Sequence, residues 1–213
     1  MRIDKGHIFA QGKGKVDVMK RYIRVTVVIV VLAALGLGYY YYLSNRTPKQ
    51  EEAGKEKNAG EVATLISKDI KNNYPESPKE VIKLYARITK AYYNGEITDE
   101  QIPQLGAQAR LLFDDELKSR QTDDDFYKAL KDDISDYKNA NRYISDYTID
   151  GSGSVDYTTW NGKKYASLTV LYYVREGSNL RYSYTKYTLR EDDKGEWKIL
   201  YWELVNQEST QSQ

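Results

Sequence analysis

The chain has 213 residues, which is enough for one ordinary domain and an appendage, and its formal net charge is +1. It contains no cysteine, which excludes disulfides, thiol nucleophiles, cysteine-bound metals and a lipid-modified cysteine. Its single histidine, His7, lies near the N-terminus, so the rest of the chain has no histidine base or metal ligand.

Charge is distributed unevenly along the chain. Residues 1–24 contain seven basic and two acidic residues, residues 25–45 contain no charged residue, and residues 46–213 contain 25 basic and 29 acidic residues. About 20 helical residues span the roughly 30 Å hydrocarbon core of a bilayer. We therefore predict a transmembrane helix at 25–45, with the basic tail 1–24 in the cytoplasm and the remainder outside the cell.

Tyrosines close the apolar segment. Four successive helical residues point around the whole helix, so this run predicts a ring in the headgroup layer and not a one-sided site. A cleaved signal peptide is the alternative, but it needs small residues before its cleavage site. We therefore expect a retained single-pass anchor in the cell membrane. Its predicted interface residues are Arg24, Tyr39, Tyr40, Tyr41 and Tyr42.

Two polar segments flank the predicted extracytoplasmic domain. Residues 46–74 begin with RTPKQEEAGKEKNAG, which has no apolar face and predicts a flexible stalk, followed by a short helix over 61–70. Residues 206–213 predict a disordered tail. The domain itself is therefore placed at residues 75–205. The excess of acidic residues after residue 45 argues against nucleic acid as a partner.

Three helices are predicted from their capping sequences. Ser77-Pro-Lys-Glu80 is a capping box whose helix should end near Asn94-Gly95. Thr98-Asp-Glu-Gln101 repeats the device, and Thr122-Asp-Asp-Asp125 opens the third helix. Residues that recur every three or four positions predict the buried helix faces, namely Val81, Tyr85, Ile88 and Tyr92, then Ile102, Leu105, Ala109, Leu112 and Phe113, then Phe126, Leu130, Ile134 and Tyr137.

After Arg142 the apolar period changes from 3.6 to 2, which predicts strands separated by glycine-containing turns, among them Asn161-Gly162. The predicted strands are Tyr143–Ile149, Lys164–Arg175, Leu180–Arg190 and Glu196–Val205. One face of the second should be buried through Ala166, Leu168, Val170, Tyr172 and Val174. The predicted fold class is α+β, with about three helices packed on a curved four-stranded antiparallel sheet.

Helices followed by long antiparallel strands, the last reading GEWKILYWELV, make residues 75–205 resemble the cone-shaped fold of nuclear transport factor and ketosteroid isomerase. The complete layout also resembles single-span, membrane-anchored proteins of unknown function from Gram-positive bacteria. It is similar as well to single-span assembly components of conjugative and type IV secretion systems. The resemblance to nuclear transport factor and ketosteroid isomerase implies a fold and leaves the activity open.

Strand aromatics are the candidate ligand-binding residues. Tyrosine also suits the half-buried surface of a sheet, so the plain interpretation is packing. The functional interpretation is an aromatic pocket or docking face for a small apolar ligand or a protein partner outside the cell. The predicted residues are Tyr172, Tyr182, Tyr184 and Trp202.

Enzymes of the resembled fold use a carboxylate base and an oxyanion hole, but no matching trio can be aligned here. The carboxylates of Asp114–Glu116, Asp123–Asp125 and Asp132-Asp133 fit helix starts and solvated faces. An open pocket with an isolated carboxylate beside a tyrosine would favour catalysis. Asp150–Asp156 resembles a calcium loop only faintly, because Val155 replaces the required glycine. We expect no metal and no cofactor.

The sequence therefore predicts a membrane-anchored, extracytoplasmic binding module without catalytic activity. Its partners would be the lipid bilayer and an unidentified protein or small apolar ligand. One alternative is an assembly component of a conjugation or secretion machine. A further alternative is an isomerase or hydrolase that uses the cone pocket.

Overall fold

The computed structural model describes residues 58–149 and 155–206, all of which belong to the same compact unit. The predicted transmembrane helix at 25–45, its interface residues and most of the predicted tail lie outside this range. Among the described residues, no helix is both long enough and apolar enough to cross a bilayer.

Within residues 58–149, five helical segments precede the first strand. Ser77 and Thr122 accept hydrogen bonds from the backbone N–H groups of Glu80 and Asp125, which confirms two of the predicted helix starts. At the remaining predicted start, Thr98-Asp-Glu-Gln101, only the Gln101 half of the capping box forms. Its side chain accepts a hydrogen bond from the Thr98 N–H. The segments are α1 (58–66), α2 (Pro78–Tyr92), α3 (Gln101–Leu111), α4 (Asp115–Ser119) and α5 (Asp123–Asn139).

The sheet is antiparallel and has five strands, so the prediction of four was wrong. Its strands are β1 (Arg142–Ile149), β2 (Asp156–Trp160), β3 (Lys163–Glu176), β4 (Asn179–Glu191) and β5 (Trp197–Val205). The strand order is β1-β3-β4-β5. β1 and β2 pair with the same edge of β3: β2 pairs with its first residues and β1 with its last. The sequence did not reveal β2 because all five of its residues are exposed, so it lacks the usual apolar alternation.

A two-residue turn joins β2 to β3. Asn161 and Gly162 both have positive φ angles, 49° and 76°, as a type I′ hairpin turn requires. Without a Cβ atom, Gly162 adopts this conformation at no steric cost, so the predicted turn also fixes the register of the unpredicted strand.

The hydrophobic core lies between the helices and one face of the sheet. The predicted inward face of β3 is confirmed, because Ala166, Leu168, Val170, Tyr172 and Val174 are all buried. The helix faces of α2 and α3 are also confirmed. Val62, Leu65 and Ile70 belong to the same core, which therefore extends further toward the N-terminus than the predicted domain start at residue 75.

Helix α5 is attached at several points along its length. Near its start, Asp123 pairs with Arg110 at 2.6 Å. In its middle, Lys131 pairs with Asp99 at 2.6 Å, and near its end Lys138 donates to the carbonyl of Ile97 at 3.1 Å. Of its predicted apolar face only Ile134 is fully buried, and the other members, Phe126, Leu130 and Tyr137, are partly buried against the core.

A charged pair fixes the loop between α3 and α4 to the sheet. Arg190 of β4 donates through Nε to Asp114 at 3.0 Å and through Nη2 at 2.5 Å. Asp114 also caps α4 by accepting from the Glu116 N–H. Because the Asp114 side chain is only 7% exposed, its charge is compensated almost wholly by this arginine.

We predict that Asp114→Ala destabilises the domain by roughly 2–4 kcal/mol, since the change leaves a largely buried guanidinium without its main partner and removes a helix cap. Urea denaturation of the wild type and the variant measures this difference. Asp115→Ala is the matched control, because that side chain is 97% exposed, and it should change stability by less than about 0.5 kcal/mol. Equal effects of the two variants would contradict the assignment.

Candidate functional site

A cavity of about 480 Å³ lies between α2, α5 and the helix-covered face of the sheet. Eight of its 18 lining residues are aromatic. Its opening is marked by lining residues that remain exposed, among them Trp202 at 41% and Leu204 at 78%. The α5 part of the wall is formed by Phe126, Leu130 and Tyr137, which are partly buried and therefore present one side to the cavity.

Hydroxyl groups gather at the buried part of the wall. The phenol oxygens of Tyr172 and Tyr187 lie 2.9 Å apart and share a hydrogen bond. Thr89 donates to the carbonyl of Tyr85 at 3.0 Å. Burial raises the pKa of Tyr172 to about 12, although hydrogen bonds from Tyr187 and Thr89 oppose that rise. Burial also raises the pKa of Tyr187 well above its ordinary value. The phenols of Tyr172 and Tyr187 are therefore neutral at physiological pH.

A carboxylate stands beside aromatic rings elsewhere on the cavity wall. Tyr93 donates its hydroxyl to Oδ2 of Asp133, and the rings of Tyr93 and Tyr137 lie 4.4 Å apart between centroids. Burial, followed by the bond to Asp133, raises the pKa of Tyr93. Among the described residues that line the cavity, Asp133 is the only charged one.

The structure brings together two of the four predicted ligand-binding residues. Tyr172 and Trp202 line the cavity. Tyr182 and Tyr184 lie on β4 at positions that alternate with the inward-facing Thr185 and Tyr187, so they occupy the opposite face of the sheet. Tyr182 is 58% exposed and packs against another tyrosine of that face. Whether any of the four binds a ligand stays a prediction.

Several lining residues were not selected from the sequence as site residues. Tyr85 and Tyr92 were assigned to the buried face of a helix, which is also correct, because a cavity wall and a core face have the same periodicity. Asp133 was assigned to a solvated face. The sequence pattern that could have identified Asp133 as a lining residue is its position in the apolar stripe of α5, three residues after Leu130 and four before Tyr137.

Among residues 58–149 and 155–206, no group of three or more His, Cys, Asp or Glu side chains is placed to hold a metal ion. Residues 150–154 of the calcium-like sequence lie outside the described range. The next acidic residue, Asp156, begins the exposed strand β2.

Comparison with known protein families gives one match. A family model described as a domain of unknown function (DUF6715) covers residues 14–202. The chain belongs to the DUF6715 family. The matched region includes the apolar segment 25–45 and most of the domain, through Trp202. No curated protein matches the chain.

We predict that the buried phenols make this DUF6715 domain sensitive to alkali. Tyrosine in the unfolded chain has a pKa near 10, whereas burial raises the pKa of Tyr172 in the folded domain to about 12. The contribution of Tyr172 to the free energy of unfolding is therefore fully present below pH 10 and is lost as the pH rises to 12. Each such tyrosine lowers the free energy of unfolding by about 1.4 kcal/mol per pH unit in that window.

Urea-denaturation midpoints measured from pH 9 to 12 test this prediction. Tyr172→Phe should make the free energy of unfolding less dependent on pH, by the equivalent of about one proton. Tyr182→Phe, which removes an exposed phenol from the same sheet, is the matched control. The interpretation fails if the two variants have the same pH profile.

Proposed function

We propose that the domain binds a small, largely apolar or aromatic ligand in the cavity between α2, α5 and the sheet. The observation that carries the proposal is the cavity itself, whose volume of about 480 Å³ lies within the range of small-molecule sites. Its walls combine aromatic faces with a few hydroxyl groups, the composition that such sites usually have.

Polar groups in the wall indicate which ligand atoms would be held. The pair Tyr172–Tyr187 uses one hydroxyl hydrogen between its members, and the remaining donor and lone pairs can serve other partners such as Thr89 or a ligand. Tyr92 also lines the cavity, and its buried hydroxyl has no hydrogen-bond partner among the described residues. A ligand oxygen that reached this group would satisfy a donor that is otherwise costly to bury.

We predict that filling the cavity weakens binding. N-phenyl-1-naphthylamine, a neutral probe that fluoresces in apolar surroundings, should bind the wild-type domain. Ala129 is an exposed residue of α5 that lines the cavity. Ala129→Phe adds an aromatic ring there and should weaken binding by about tenfold or more. Tyr182→Ala removes an aromatic from the opposite face and should leave binding unchanged. Equal loss in both variants, or no probe binding at all, would exclude this cavity as the site.

Catalysis is the second candidate, because the cavity contains an isolated carboxylate beside a tyrosine. Asp133 would act as the base and the buried phenols as donors to a substrate carbonyl. Two features rank it below binding. Asp133 is exposed, and its Oδ2 is already hydrogen-bonded by Tyr93, so it lacks the apolar surroundings that tune such bases. Isomerisation of a β,γ-unsaturated ketone that is lost in Asp133→Asn would reverse this order.

The fold proposed for the domain is the cone of the nuclear transport factor and ketosteroid isomerase type. Three features support the proposal: the helices precede the strands, they cover one face of an antiparallel sheet, and an aromatic cavity lies beneath them. Isomerases of that fold have an apolar pocket, which agrees with the binding role proposed here.

We also propose that residues 25–45 anchor the domain in the cell membrane, with residues 1–24 in the cytoplasm. The basic tail and the uncharged segment support this orientation. Protease added to intact cells should then degrade the region after residue 45, as detected with an antibody against the domain. A chain tagged at residue 1 should keep its tail protected. Full protection of the domain in cells with an accessible surface would refute the orientation.

A further inference from the structure

We infer that the wall around Asp133 is a subsite for an organic cation, so that the ligand is an apolar amine or quaternary ammonium compound. The inference rests on the proposed function, because it names the ligand class of the same cavity. It concerns one part of the wall, formed by Asp133, Tyr93 and Tyr137, which we call the cation subsite.

The charge of the cavity wall selects the sign of the ligand. Asp133 supplies a negative charge, and none of the described lining residues is Lys, Arg or His. A carboxylate or phosphate ligand would therefore find no counter-charge and would meet repulsion from Asp133. A cation would gain a charged partner at the exposed part of the wall, where such a pair contributes a modest amount to the free energy of binding.

The rings beside the carboxylate favour the same sign. Tyr93 stands 4.4 Å from Tyr137 between ring centroids and donates its hydroxyl to Asp133, so two aromatic rings lie next to the carboxylate. The faces of aromatic rings carry partial negative charge and attract ammonium groups, most strongly those with methyl substituents that are weakly hydrated. A carboxylate beside two aromatic rings is therefore a suitable receptor for a quaternary ammonium group.

Nearby basic residues do not neutralise this subsite. Arg142 lies 5.9 Å from the Tyr137 ring centroid, but its guanidinium pairs with Glu176 at 3.0 Å. On α5 itself, Lys131 pairs with Asp99, and Lys138 donates to a backbone carbonyl. The partner that the structure gives Asp133 is the neutral phenol of Tyr93, which occupies one carboxylate oxygen and preserves the charge.

Three ligands with the same aromatic body test the inference by displacing N-phenyl-1-naphthylamine from the domain. They are (2-naphthylmethyl)trimethylammonium, its neutral carbon isostere 2-neopentylnaphthalene, and 2-naphthylmethanesulfonate. The cation should bind about fivefold more tightly than the neutral isostere, and the anion should bind most weakly. Asp133→Asn should bring the ratio of cation to neutral affinity close to one while leaving the neutral affinity unchanged.

Two further variants separate the subsite from general surface charge. Asp132→Asn removes the adjacent carboxylate of α5, which does not line the cavity, and should preserve the ratio. Tyr137→Leu keeps an apolar side chain but removes a ring, and should lower the ratio about twofold to threefold.

The outcomes distinguish this inference from the proposed function. If the probe binds but the cation and the neutral isostere bind equally, the cation subsite is refuted and the binding cavity stands. If Asp132→Asn lowers the ratio as much as Asp133→Asn does, the preference comes from diffuse charge, which also refutes the subsite. If the probe does not bind the wild-type domain, the proposed function fails and the inference fails with it.

Discussion

The pairing of β3 with β4 runs from Tyr165–Arg190 to Glu176–Asn179 without a register shift, and it determines where the other elements lie. β1 and β2 share one edge of this pair, and β5 takes the other. Strict alternation along both strands sends one set of side chains toward the helices and the other set to the outer face. The cavity positions of Tyr172 and Tyr187 and the exposed position of Tyr182 on the outer face therefore follow from a single register.

Periodicity and capping predict those parts of the fold in which the local signal and the tertiary environment agree. Ser77 and Thr122 start helices because their hydroxyl groups satisfy backbone N–H groups within the same turn. By contrast, β2 is held by pairing with β3 and by the Asn161-Gly162 turn, and α4 depends on Asp114, which is fixed by the distant Arg190. Such elements depend on long-range partners, which a local pattern does not contain.

The candidate site was only half predictable for a related reason. Abundant strand tyrosines indicate an aromatic surface, but the face to which each belongs follows from the exact register, and a shift of one residue exchanges the faces. That is why Tyr172 lines the cavity while Tyr182 and Tyr184 do not. The cavity itself depends on where α5 lies above the sheet, which is determined by distant partners such as Arg110, Asp99 and Ile97 and is not contained in the local pattern of the helix.

The hydroxyl groups of the wall bear on whether folding requires a ligand. Tyr172 and Tyr187 satisfy one another, and Thr89 and Tyr93 have partners within the protein, so their burial is compensated without any bound molecule. Tyr92 is different, because its buried hydroxyl lacks a partner among the described residues. Folding thus supplies the hydrogen-bond partners of these wall hydroxyl groups except at Tyr92, and the same contacts hold the side chains of the wall in place.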